Sequence, residues 1–215
     1  MPTTQLEQTS GHRKPVVGLA GGIGSGKTSV ARILGDLGAG IIDSDALAHA
    51  ELDTEEVKAM LRRWWGDEIL APSGSVDRQK VAAIVFRDAA QRHRLEAVLH
   101  PRVAVRRANL MAELDRQPRT RMVVIDSPLL YETDLDLLCD AVIFVDAHPD
   151  VRKARSEKAR NWPQEEHRIR ESTQQSLDIK RTRADYICDN NSTPAALREQ
   201  VERVFAQIVS EAGGD

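Results

Sequence analysis

The chain has 215 residues, 41% of them hydrophobic, and a formal net charge of −3. That suits one domain with room for insertions and excludes a general affinity for nucleic acid or an anionic membrane surface. No apolar run approaches the roughly 18 residues of a membrane span, and the lone cysteines Cys139 and Cys188 lack metal-ligand spacing, which predicts reduced, buried thiols and a cytoplasmic setting.

Met1 to Lys14 are polar and lack the apolar core of a secretory signal, so residues 1–14 read as a frayed tail and 15–215 as a single domain. Pro15-Val16-Val17-Gly18-Leu19-Ala20 is a short apolar run bounded by Pro and Gly, which predicts a buried strand. Gly21-Gly22-Ile23-Gly24-Ser25-Gly26-Lys27-Thr28 follows and fits G-x-x-x-x-G-K-[ST], a phosphate-cradling loop. Val30, Ile33, Leu34 and Leu37 then recur on one helix face, and Gly38 stands where that helix would stop. Strand, loop and helix in this order bring backbone N–H groups and a positive helix end to one point. Lys27 suits the β/γ-phosphates and the Thr28 hydroxyl suits Mg²⁺. The candidate nucleotide-binding residues are therefore Gly22, Ile23, Gly24, Ser25, Gly26, Lys27, Thr28 and Ser29. Such a loop is too small to read a base, so it names a triphosphate and not its nucleoside.

Gly40–Asp43 is the next predicted strand and runs into Asp43-Ser44-Asp45. On a strand, residues i and i+2 share a face, so both carboxylates are expected to point together at the carboxyl edge of the sheet. A carboxylate there can orient and deprotonate an acceptor hydroxyl. The competing reading is a pair of turn or helix-capping residues. A long gap follows, holding charged amphipathic stretches at Glu55 to Trp65, Asp77 to Phe86 and Ala89 to Leu114. A β-α-β crossover needs only one helix, so residues of about 50–115 read as an inserted substrate-binding lobe, with Trp64 and Trp65 packing it. Pro101 is expected to kink or end the last of these helices at His100.

Arg121–Asp126 is a third strand, ending in a carboxylate like the Mg²⁺-orienting strand of phosphate-loop enzymes. Pro128-Leu129-Leu130-Tyr131-Glu132 follows, with Pro128 and Leu129 as candidates to touch a ligand or the core. Ala141–Asp146 and Ala184–Cys188 complete five strands. Between them, Arg152 to Arg183 carries ten Lys/Arg against five Asp/Glu, a basic excess that suits a helical lid over a triphosphate at about 152–183. Arg155 and Arg160 are candidate clamps on a transferring phosphoryl group. Thr193 and Pro194 open a final helix with an apolar stripe of Leu197, Val201, Val204, Phe205 and Ile208. The predicted fold is α/β, a P-loop NTPase with a parallel five-stranded sheet flanked by helices.

The glycine loop, Leu37-Gly38, Ile42-Asp43-Ser44-Asp45, Trp65-Gly66, Gly74 with Asp77-Arg78, and Val85-Phe86 resemble dephospho-CoA kinases, a family of P-loop small-molecule kinases. So do Leu99-His100-Pro101, Pro128-Leu129-Leu130-Tyr131-Glu132, Gln174, Lys180, Ala184-Asp185 and Asp189-Asn190. The matches run in order from about Val16 to Val209. The resemblance implies ATP-dependent phosphorylation of the ribose 3′-hydroxyl of dephospho-CoA, with Mg²⁺, as the last step of coenzyme A synthesis. It implies Asp45 as catalytic base, Lys27 and lid Arg155 on the phosphoryl group, and Asn190 near adenine. It puts Asp43 and His100 at the acceptor. Where the family usually has Thr before the double Gly, this chain has Ala20.

A shikimate-type or nucleotide kinase is the alternative, but the Gly-Gly-Gly substrate loop of the former is missing. A GTPase-like switch would need D-x-x-G and N-K-x-D, and neither string occurs.

Overall fold

The structure is a computed structural model that describes residues 13–159 and 175–213. Residues 1–12 of the expected tail, and residues 160–174 of the expected lid with Arg160 and Gln174, lie outside the described residues.

The apolar runs form strands β1 (Val16–Ala20), β2 (Ala39–Asp43), β3 (Met122–Asp126), β4 (Ala141–Asp146) and β5 (Tyr186–Asp189). They make one sheet in the order β2-β3-β1-β4-β5. β1 pairs in parallel with β3 (Val17 opposite Val124) and β4 (Leu19 opposite Ile143), and β4 with β5 (Phe144 opposite Ile187). Every residue of β1 is buried, as suits a central strand covered on both faces. Because its neighbours lie on opposite sides, the carboxyl end of β1 is a switch point, the place where open α/β sheets form a crevice for ligands.

Helix α1 (Lys27–Asp36) buries Val30, Ile33 and Leu34 in a cluster with Val17, Leu19, Met122, Val124, Ile143 and Val145. The last helix, Pro194–Ala212, packs on α1 and adds Leu197, Val201, Phe205 and Ile208 to that cluster. It opens as its sequence predicts: the Thr193 side chain accepts from the Ala196 N–H at 3.2 Å, with Pro194 in the first turn. The fifth strand starts at Tyr186 rather than Ala184, because Ala184 still closes the preceding helix and donates to the Arg181 carbonyl.

The contacts divide the chain into two compact units: Met1–Ile41 with Asp115–Asp215, and Ile42–Leu114. The second is helical. It comprises α2 (Ser44–Leu52), α3 (Glu55–Trp65) and α4 (Arg78–Arg87), followed by most of α5 (Ala89–Arg116). Its own small core joins Leu52, Val57, Leu61, Ile69, Val76, Val81 and Leu95, with Trp64 and Trp65 packed against it. The two rings meet edge-on at 5.8 Å, Arg94 lies 4.0 Å over Trp64, and the Trp65 N–H donates to Gln91. Both tryptophans are thus packing residues.

Pro101 does not end α5. The helix runs on for 28 residues with Pro101 inside it, about 42 Å at 1.5 Å per residue. Proline removes the hydrogen bond to the Ala97 carbonyl, but both residues are exposed, so water can satisfy that group and the helix continues.

Candidate active site

The loop after β1 has the backbone a phosphate cradle needs. Gly24 (φ 77°) and Gly26 (φ 96°) take left-handed conformations, which side-chain-bearing residues adopt only under strain. Space requires glycine there as well. A Cβ on Gly24 would lie 2.4 Å from the Arg152 carbonyl oxygen, and one on Gly26 would lie 2.2 Å from Asn190 Nδ2. Ser25 N–H donates to the Gly22 carbonyl at 3.1 Å, closing the turn. Gly26 caps α1 with no side-chain partner and no acidic residue stands in the first turn, so the helix start keeps its donors and positive end. Lys27 Nζ donates to the Gly21 and Gly22 carbonyls at 2.8 and 3.2 Å. The ammonium thus lies across its own loop, and the Thr28 side chain is exposed in the first turn.

Two further elements flank the loop. Helix α6 (Pro149–Ala159) lies against Gly22 and Gly24 through Arg152 and Ser156. Arg155, one turn along, donates from Nη2 to the Asn190 carbonyl at 3.1 Å. Asn190 itself follows β5 and donates from Nδ2 to the Ser25 carbonyl at 2.7 Å. The structure therefore brings together the loop, Arg155 and Asn190. It also adds Arg152 and Ser156, which no motif marked; their contacts with the loop depend on how α6 packs.

After β3, Asp126 ends the strand next to β1, in register with Leu19. Pro128 is half-buried, Leu129 is exposed and Leu130 is buried. Leu130 fits where a Cβ on Gly18 would collide with it at 2.7 Å. Glu132 accepts at one oxygen from Lys180 Nζ at 2.8 Å and from the Gln175 N–H at 2.7 Å. Lys180 stands on α7 (Leu177–Arg183) and is fully buried. A buried ion pair thus fastens α7 to the Pro128–Glu132 turn. Beside it, Arg183 lies 4.3 Å over the Tyr131 ring, and burial pushes the Tyr131 hydroxyl up to about 12. Burial likewise pushes the Cys188 thiol up to about 11. Neither cysteine forms a disulfide; Cys188 is buried as expected, whereas Cys139 is only half-buried and donates its S–H to the Leu135 carbonyl.

Within the helical unit, Asp43 and Asp45 do not share a strand face. The strand stops at Asp43, and Asp45 already belongs to the first turn of α2. Asp43 caps that helix by accepting from the Ala46 N–H at 2.9 Å. The alternation argument fails because the chain changes period between the two residues. Asp45 is exposed, as is His100 on α5. Near His100, α2 and α5 form a groove of about 470 Å³ lined by Glu51, Pro101, Arg102, Val105, Arg106 and Asn109. Glu51 is buried and holds Arg106 at 2.8 Å.

Among the described residues, no group of three or more His, Cys, Asp or Glu could cage a metal ion, and no helix is long and apolar enough to cross a membrane. Mg²⁺ takes only one or two protein oxygens and leaves its other positions to water and phosphate, so a site for it needs no such cage. Thr28 and Asp126 are oxygen donors of that kind.

The dephospho-CoA kinase family model matches residues 15–196. Among curated relatives, a dephospho-CoA kinase of Anaeromyxobacter dehalogenans is 37% identical over 194 residues, 90% of this chain and 92% of its own. One from Thermobifida fusca is 39% identical over 193 residues, covering 89% and 95%. Among solved structures, TT1252 from Thermus thermophilus superposes with a TM-score of 0.76 at 32% identity, covering 91% of this chain and 98% of that one.

Proposed function

The chain belongs to the dephospho-CoA kinase family, and on that premise we propose that it transfers the γ-phosphoryl group of ATP to the ribose 3′-hydroxyl of dephospho-CoA. The observation that carries this reading is the extent of the family match. Residues 15–196 take in the glycine loop and also the whole of the helical unit. The loop accounts for a triphosphate; the helical unit is where an acceptor-specific surface would be encoded.

In this mechanism the loop N–H groups and the start of α1 hold the phosphates. Lys27 leaves its carbonyl partners to neutralise charge that builds on the transferring group. Asp45, an exposed carboxylate on the first turn of α2, orients the acceptor hydroxyl and takes its proton as the oxygen attacks in line. Asp43 acts through Asp45: its cap fixes the start of the helix that carries the base. Thr28 and Asp126 are the residues that would hold Mg²⁺, which supplies electrostatic neutralisation of the β- and γ-phosphates when bound. Residues of about 50–115, with His100, form the acceptor lobe, and Arg155 belongs to the nucleotide side. Cys139 and Cys188, neither of them in a disulfide, suit a reducing compartment such as the cytoplasm.

The test is an acceptor panel. Purified protein with Mg-ATP is offered dephospho-CoA, shikimate and a nucleoside monophosphate, and the product is located on the acceptor. Phosphate at the ribose 3′-hydroxyl of dephospho-CoA is the expected result. Phosphorylation of shikimate or the monophosphate, with dephospho-CoA untouched, overturns the reading.

A further inference from the structure

Asn190 lies just beyond β5 with 6% of its surface exposed. Its backbone N–H donates to the Asp146 carbonyl at 2.8 Å, which fixes it to the end of β4. Its side-chain Nδ2 donates to the carbonyl of Ser25, 165 residues earlier, at 2.7 Å. Its side-chain oxygen accepts from Arg155 Nη2 at 3.4 Å, and that guanidinium also bonds the Asn190 carbonyl at 3.1 Å and reaches the Ser25 carbonyl from Nη1 at 3.5 Å, a longer contact than the one from Asn190. The amide is thus oriented from both ends: nitrogen to the loop, oxygen to the arginine.

The Ser25 carbonyl matters because of peptide geometry. In a trans peptide, the C=O of one residue and the N–H of the next point in opposite directions. Pulling the Ser25 oxygen toward Asn190 therefore aims the Gly26 N–H the other way. Gly26 sits at φ 96°, and glycine there gives the peptide little intrinsic resistance to rotation. A half-turn would present a carbonyl oxygen where a phosphate-binding cradle needs a donor.

We infer that Asn190 is a positioning residue that locks the Ser25–Gly26 peptide in its donor-facing orientation, with Arg155 holding the Asn190 amide in place. This rests on reading the loop as a triphosphate cradle. Asn190 then acts on ATP affinity through the phosphates and not through the base.

The experiment is calorimetric titration of wild type, Asn190→Ala and Asn190→Asp with Mg-ATP and with inorganic tripolyphosphate. Asn190→Asp is nearly isosteric and keeps an acceptor for Arg155, but it sets an oxygen against the Ser25 carbonyl, so it carries the test should the alanine variant fold poorly. Both variants are expected to bind ATP and tripolyphosphate about tenfold more weakly, by matching factors. The KM for ATP should rise while the KM for dephospho-CoA is unchanged, a split that general loss of structure would not produce. Wild-type affinity for tripolyphosphate in both variants, or a loss seen with ATP alone, overturns the inference. A wild-type protein that binds ATP but not tripolyphosphate overturns the cradle reading itself.

Discussion

The sheet unit and the helical unit are built on opposite plans. In the sheet unit, the chemistry is mostly backbone: glycines with left-handed φ, N–H groups at a helix start and a carbonyl held by Asn190. Beside the Pro128–Glu132 turn of that unit, Lys180 is fully buried and paired with the half-buried Glu132. In the helical unit, the backbone is regular, the core is seven buried residues, and α5 buries only Leu95 along its 28 residues. Its candidate groups, Asp45 and His100, are exposed side chains. One plan binds what any kinase of this type shares, the triphosphate; the other leaves a surface free to specify the acceptor.

Three perturbations can break or sharpen this contrast. The largest effect is expected at the buried ion pair. Lys180→Met leaves the Glu132 carboxylate buried without its cation and should cost about 3–5 kcal/mol of stability. Adding Glu132→Leu should restore most of that loss in denaturant titrations. A double variant as unstable as the single would show that Lys180 supports the fold by something other than this pair.

Next is the helical core. Leu61 is fully buried in that unit, and Leu61→Ala should cost about 2–5 kcal/mol. Tripolyphosphate affinity at a temperature where the variant is folded should stay at the wild-type value, because every loop contact described above lies in the sheet unit. A weakened affinity would deny the division of labour.

The smallest effect is alkaline. The Cys188 thiol stands at about 11 in the fold, against about 8.5 in an unfolded chain. The folded state holds this proton more tightly, so the contribution is complete below pH 8.5 and is lost as pH rises through about 11. At about 1.36 kcal/mol per pKa unit it amounts to about 3 kcal/mol. Tyr131, raised to about 12, extends the loss to higher pH. Between pH 8 and 10.5, Cys188→Ala should lose less stability than wild type in denaturant titrations; equal losses would contradict the assignment.

The same contrast explains what could be read from the sequence. The strands of the sheet unit, the loop and the helix after it were legible because burial on both faces, glycine and a 3.6-residue period each leave a mark in one dimension. Asp43 and Asp45 were legible as residues but not in geometry, since nothing in Asp43-Ser44-Asp45 fixes whether a strand continues or a helix begins. Pro101 marked a helix end that solvent exposure overrode. Arg152, Ser156 and the bond from Asn190 to Ser25 were invisible, because they depend on where α6 and the turn after β5 come to rest against the loop. The groove beside Pro101 was invisible as a groove, because it is assembled from residue 51 and residues 101–109 on two helices.

The most direct test of the account compares Asp45→Asn with Asp43→Asn in a dephospho-CoA phosphorylation assay, alongside calorimetric ATP binding. With Asp45 as base and Asp43 as helix cap, Asp45→Asn should lower kcat by roughly 10²–10⁴-fold with ATP affinity nearly intact. Asp43→Asn should lose far less, since Asn caps a helix about as well as Asp. Near-normal turnover in Asp45→Asn, or the larger loss in Asp43→Asn, would contradict it.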